Sequence, residues 1–187
     1  TKKLMYRDPA AWDVLMEKLV EVLAAYGIEQ VKAGADSFQV FDSWVGCLSP
    51  DDYRRFALPH TTTLIERLKG AGVPVIYFGT DSATLLTSMT ETGADVIGLD
   101  WRIHLSDGWE IVGDDHAVQG NLDPVVLFAG EDYVRRAARD VLDEAAGRPG
   151  HIFNLGHGIL QHTPVDNVIA LVNEVHEYSS KLQGVAR

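Results

Sequence analysis

The chain has 187 residues, 46% hydrophobic and 23% charged, the balance of a globular protein with enough apolar material for a sizeable core rather than of a disordered segment. With 16 basic residues against 27 acidic ones, the formal charge of −11 argues against generic attraction to nucleic acid or anionic lipid, so an anionic ligand would need a local cationic site. The single cysteine, Cys47, excludes an internal disulfide framework and a multi-cysteine zinc module; no apolar run approaches the roughly 20 residues that span a bilayer, and the start, Thr1-Lys2-Lys3-Leu4, lacks a signal-peptide core, so the chain reads as cytoplasmic.

Short apolar runs alternate with longer amphipathic stretches. Asp8-Pro9 opens a first helix as N-cap and N1, because a short acidic side chain satisfies an orphan N–H and proline has none to waste. Trp12, Leu15, Leu19, Val22, Leu23 and Tyr26 follow at helical spacing and predict one buried face. Phe38 to Phe41 reads as a strand, and Ser49-Pro50 starts a second helix that is expected to run to about Leu68 before Gly70 and Gly72. A strand at Val75 to Phe78, a short helix from Ala83 to Thr92, and strands at Val96 to Leu99 and Ala117 to Gln119 come next. Asp123-Pro124 is a further cap, and Glu131 to about Ala146 a helix with Val134, Ala138, Val141 and Leu142 on one face. A fifth strand covers Ile152 to Asn154. Thr163-Pro164-Val165-Asp166 resembles a capping box before a last helix with Val168, Leu171, Val172 and Val175 inward.

The strands are nearly continuous apolar runs, which predicts burial on both faces and hence a parallel sheet covered by helices. Five such strands fit a doubly wound sheet or part of a (β/α)8 barrel, and local pattern does not decide between them. A complete barrel needs about 250 residues, so 187 are too few for one. No linker, low-complexity tract or domain boundary interrupts residues 1–187, and they read as one domain.

In either parallel architecture ligands bind at the carboxyl ends of the strands, so the residues just after each apolar run are the informative ones. These are Asp42-Ser43-Trp44, Gly79-Thr80-Asp81, Asp100-Trp101, Gly120-Asn121-Leu122-Asp123 and Gly156-His157-Gly158. Asp81 and Asp123 precede helical stretches and read as caps. Asp42 and Asp100 read equally well as orienting carboxylates and as structural acceptors. His157, between two glycines at a strand end, is poorly explained by packing and reads as functional, whereas His60, His116, His151 and His176 read as structural or solvated. A metal site is weakly supported, since His157 and His162 have no Cys or Glu at ligand spacing. No phosphate-binding glycine motif is present, and Ser43 lies in Phe41-Asp42-Ser43-Trp44-Val45 instead of Gly-x-Ser-x-Gly. What remains is binding, or acid and base chemistry without a cofactor.

Taken together, Phe41-Asp42-Ser43-Trp44-Val45-Gly46, Thr92 to Trp101, Val118-Gln119-Gly120-Asn121-Leu122-Asp123-Pro124 and Phe153-Asn154-Leu155-Gly156-His157-Gly158 resemble the carboxy-terminal part of the uroporphyrinogen decarboxylases, in order and in spacing. Gln161 stands where the family often has proline. The resemblance implies a (β/α)8 barrel, a cytoplasmic homodimer, and removal of carbon dioxide from the four acetate side chains of uroporphyrinogen III to give coproporphyrinogen III, without metal or organic cofactor. It assigns substrate contacts to Ser43 and His157. It also implies that the family's arginine-bearing segment, its cation-stabilising aspartate and a pocket tyrosine have no counterpart here, and neither Asp42 nor Asp100 stands in the matching motif. The chain is then expected to be a partial barrel, the last five βα units, with Ser43 and His157 facing one cavity, no turnover of its own, and a tendency to self-associate or to pair with a missing amino-terminal portion. The alternatives are a non-catalytic half-barrel that binds porphyrinogen or serves assembly, and a relative of the cobamide-dependent methyltransferases; the latter generally hold zinc through His and Cys ligands, which a lone Cys47 disfavours.

Overall fold

The computed structural model describes residues 1–182. Five strands, β1 (Phe38–Asp42), β2 (Val75–Gly79), β3 (Val96–Gly98), β4 (Ala117–Leu122) and β5 (His151–Leu155), form one sheet in the order β1-β2-β3-β4-β5, the order expected from the βα alternation together with the family resemblance. β1 pairs with β2 in parallel, from Phe38 opposite Val75 to Asp42 opposite Gly79. β4 pairs with β5 in parallel, from Val118 opposite His151 to Leu122 opposite Leu155. Helices α1 (Lys2–Arg7), α2 (Pro9–Lys32), α3 (Pro50–Phe56), α4 (Leu58–Lys69), α5 (Leu86–Thr90), α6 (Leu105–Val112), α7 (Glu131–Ala145) and α8 (Val165–Leu182) make up the rest, with short 3-10 turns between. Among the described residues no helix is long and apolar enough to cross a membrane.

The chain divides into two compact units, Thr1–Ile97 and Gly98 onward. In the first, the Asp8 carboxylate accepts from the Ala11 N–H at 3.0 Å and starts α2 where its sequence predicts. The buried face of α2 differs from the expected one. Trp12 is buried and its indole donates to the Phe56 carbonyl, but the face continues through Val20, Ala24 and Gly27, against α4. Leu15, Leu19, Val22, Leu23 and Tyr26 are exposed, from 43% to 64%. The small residues are chosen for close approach: a Cβ on Gly27 would stand 2.4 Å from Leu68, so the helix meets its neighbour on the less hydrophobic side of the apolar arc. The helix begun at Ser49-Pro50 also breaks at Ala57, because Pro59 has no N–H to donate and its ring crowds the preceding turn. α1, too short and charged to read from sequence, is tied down by Lys2 and Tyr6, both bonded to the buried Asp52 of α3.

In the second unit, α6 went unpredicted although Leu105, Trp109 and Val112 recur at helical spacing and are buried. α7 buries Val134, Ala138, Leu142 and Ala145, and Leu122, Leu127, Val134, Ala138 and Leu171 form a continuous core cluster. Glu174 of α8 is 4% exposed and reaches Arg139 Nε at 2.5 Å and Arg135 Nη1 at 3.1 Å on α7; the Arg139 hydrogen bond first, then that of Arg135, holds its carboxyl below the ordinary glutamate range. Two details depart from expectation. α8 starts at Val165, and the Thr163 hydroxyl donates to the Leu160 carbonyl at 2.7 Å in place of a capping role. Val172 is exposed, because the contact with α7 runs through Ala170, Leu171 and Glu174.

Burial on both sheet faces holds for β2, β3 and β4 and fails at the outer strands. Phe41 of β1 is 67% exposed, and Ile152 of β5 is 41% exposed in an alternating pattern. An outer strand has a neighbour on one side only, so fewer side chains cover it.

Candidate functional site

The polar residues predicted to form a rim stand at or just beyond the carboxyl ends of their strands, except that β4 runs on past the expected Gln119 to Leu122, so that Asn121 is part of the strand. Ser43 follows β1, half-buried, and its carbonyl accepts a hydrogen bond from the Thr80 hydroxyl just after β2. The next residues turn at once into a 3-10 segment, Val45–Cys47, which requires Gly46: a Cβ there would lie 2.4 Å from the Asp81 carbonyl oxygen and 2.5 Å from that of Thr80. Trp44 projects into solvent at 86% exposure.

Asp42 resolves as a helix-facing group. Phe38, Val40 and Asp42 alternate onto one strand face, and Phe38 lies against Gly27 of α2. The Tyr77 hydroxyl of β2 donates to Asp42 Oδ2 at 3.2 Å, and the Tyr53 hydroxyl of α3 donates to Tyr77 at the same distance. Burial pushes the Asp42 carboxyl above its ordinary range, with the Tyr77 bond opposing; burial likewise raises Tyr77 and Tyr53. The structural-acceptor reading therefore fits Asp42 best.

In the second unit, Asp100, 2% exposed, follows β3 and folds back on the chain: it accepts from the Arg102 N–H at 3.0 Å and from Arg102 Nη1 at 2.5 Å. The Asn121 side chain of β4 donates to the carbonyls of Asp100 at 2.9 Å and Ile103 at 2.7 Å, which pins this turn. Gly156 follows β5, donates its N–H to Leu122 and leaves no room for a side chain, since a Cβ would stand 2.4 Å from the Trp101 nitrogen. His157 is exposed immediately beyond, with its ring 6.3 Å from the Trp101 ring.

The remaining candidates separate cleanly. Asp123 caps as predicted, accepting from the Val125 N–H at 2.9 Å. Asp81 sits at φ 56, one residue before the N-cap position, which Ser82 occupies ahead of the 3-10 turn Ala83–Leu85. The Ser82 hydroxyl donates to the Gly79 carbonyl at 2.8 Å. His60 pairs with Asp13, while His151 is half-buried, bonded to the Gly120 carbonyl at 2.9 Å, and lowered by burial below the ordinary histidine range. Among the described residues no group of three His, Cys, Asp or Glu side chains is placed to hold a metal ion. Sequence reading missed Tyr77, Tyr53 and Arg102. Arg102 alone carried a signal, because an aspartate followed two residues on by a donor is a local turn pattern.

The profile of the uroporphyrinogen decarboxylase (URO-D) family matches residues 1–178. The chain belongs to this family. A uroporphyrinogen decarboxylase of Koribacter versatilis is 62% identical over 184 residues, covering 98% of this chain and 52% of the relative. One of Chloroflexus aurantiacus is 54% identical over 182 residues, covering 95% and 51%. The chain thus spans about half the length of the curated relatives it matches. A methyltransferase from Methanosarcina mazei superposes with a TM-score of 0.81 at 22% identity, over 95% of this chain and 52% of that one, a likeness of fold alone. With the family known, the five parallel strands and their helices are part of a (β/α)8 barrel and not a doubly wound sheet.

Proposed function

We propose that this chain is the half of a cytoplasmic uroporphyrinogen decarboxylase that carries Ser43 and His157 as substrate contacts, in an enzyme that converts uroporphyrinogen III to coproporphyrinogen III without a cofactor. The family match at 62% identity carries this reading. Support comes from the position of both residues directly after strand ends, where a parallel barrel presents its ligand site. The substrate bears many carboxylates. The His157 imidazole N–H donates a hydrogen bond to one of them, which matters in a chain of net charge −11. The Ser43 hydroxyl orients a second polar group. The chemistry protonates a pyrrole carbon, makes the ring cationic and releases carbon dioxide as the electrons of the broken C–C bond flow into the ring. The exocyclic methylene left behind takes up a proton to become methyl, and the ring carbon gives back the proton it gained.

That cation needs a carboxylate beside the ring nitrogens, and Asp42, turned to the helices behind β1, is not suited to supply it. Removing one stabilising group for a developing charge costs a factor of about 100 to 1000, so the 187-residue chain alone binds but does not turn over measurably. The test is a decarboxylation assay with uroporphyrinogen III, on the chain alone and mixed with the amino-terminal half of a full-length relative. Turnover that appears only in the mixture and is lost in His157→Ala is the expected result. Robust turnover by the chain alone would overturn the division of labour proposed here. The exposed apolar stripe on α2 supports a further part of the reading, that the chain associates with itself or with such a complementary half.

A further inference from the structure

We infer that Trp101 is a positioning residue for His157, an inference that rests on the substrate contact proposed above. The two follow different strands, β3 and β5, yet their rings meet edge to face, centroids 6.3 Å apart and planes at 86°. This is the arrangement aromatic rings favour, the positive edge of one meeting the negative face of the other. His157 has need of such a hold. It is exposed, and Gly156 and Gly158 on either side bring no side chain to restrict it.

Trp101 is itself anchored from below. The Arg102 guanidinium lies 4.0 Å from the centre of the indole, and its Nη1 is bonded to the buried Asp100. Asn121 fixes the carbonyls on either side of the Trp101-Arg102 pair. The end of β5 is pressed onto the same turn through the Gly156 contact with the Trp101 nitrogen. A buried carboxylate thus fixes a guanidinium, the guanidinium an indole, and the indole an exposed imidazole. Ordering the imidazole before binding removes part of the rotamer entropy otherwise lost when it meets a substrate carboxylate.

The test is binding of uroporphyrin, the oxidised and unreactive counterpart of the proposed substrate, by fluorescence titration of the 187-residue chain. Trp101→Leu should weaken binding by about 3- to 10-fold, the worth of one aromatic pair, and Trp101→Phe by less. In a His157→Ala background, Trp101→Leu should cost nothing further, because there is no imidazole left to position. Equal losses in both backgrounds would assign Trp101 to general stability or to its own ligand contact, and overturn the inference. If Trp101→Leu does not fold, Arg102→Lys, which keeps a cation near Asp100 but loses the planar stack, takes its place in the same cycle. A second measurement needs no ligand: the His157 ring-proton resonances should move when Trp101→Phe changes the ring current, and unchanged resonances would also overturn the inference. Absence of uroporphyrin binding by the wild-type chain would instead count against the substrate reading, leaving the resonances to decide the role of Trp101.

Discussion

Asp42 shows how far a residue's surroundings can alter a reading made from its position. It stands at a strand end beside Ser43, where an orienting carboxylate was an equal expectation, but strand alternation turns it to the helix side, under Tyr77 and Tyr53. Because burial raises its folded pKa above the ordinary 3.8, its contribution to stability is fully present below that value and is lost as pH rises through the folded pKa. Asp42→Asn, which keeps an acceptor for the Tyr77 hydroxyl, should therefore be more stable than the wild type at pH 7, by a margin that closes towards pH 4. Denaturant midpoints across that range measure it, and a variant less stable at pH 7 would mean that the charged carboxylate is needed. Neither tyrosine was legible as a partner, since one is on β2 and the other on α3, and only strand pairing and helix packing bring them together.

At the level of elements, the caps at Asp8, Ser49 and Asp123 were legible, the one expected at Thr163 was not realised, and buried faces were the least legible. Asp8, Ser49 and Asp123 all accept the backbone hydrogen bonds their positions predict, at 3.0, 3.2 and 2.9 Å, because capping depends on residues within one turn. The face an apolar helix buries depends on which neighbour it meets, as α2 and Val172 of α8 make plain. Between α7 and α8 the contact is partly ionic, through Glu174 and its two arginines. Its folded pKa is depressed below the ordinary 4.5, so this contribution is present above that value and is lost as pH falls through the folded pKa. Glu174→Gln should melt several degrees lower than the wild type at pH 7, and the gap should shrink once the pH is taken below 4. A constant gap down to pH 2 would show that packing, not charge, is what the substitution removes.

For the molecule as a whole, a charge of −11 keeps like chains apart at long range, whereas the stripe of Leu15, Leu19, Val22, Leu23 and Tyr26 favours contact at short range. At moderate salt, where the repulsion is screened, the short-range term wins and the chain should self-associate. Leu19→Glu with Leu23→Glu should shift the mass measured by light scattering towards that of one 20.5 kDa chain, at small cost to stability, since the two side chains are already 43% and 46% exposed. A monomer at every concentration before substitution, or an unchanged oligomer after it, would remove the stripe from consideration.

The alternation of strands and helices, the family and with it the strand order, and the positions of Ser43 and His157 after their strands could all be read from the amino-acid order. Each of these rests on local spacing or on collinear motifs, which survive without knowledge of neighbours. Strand pairing and helix packing were needed to show that Asp42 faces the helices, that Asp100 and Arg102 underpin Trp101, that Trp101 meets His157, and which arc of α2 is buried. Those outcomes depend on contacts between residues far apart in the chain, and a side chain's burial and partners exist only once the strands have paired and the helices have packed.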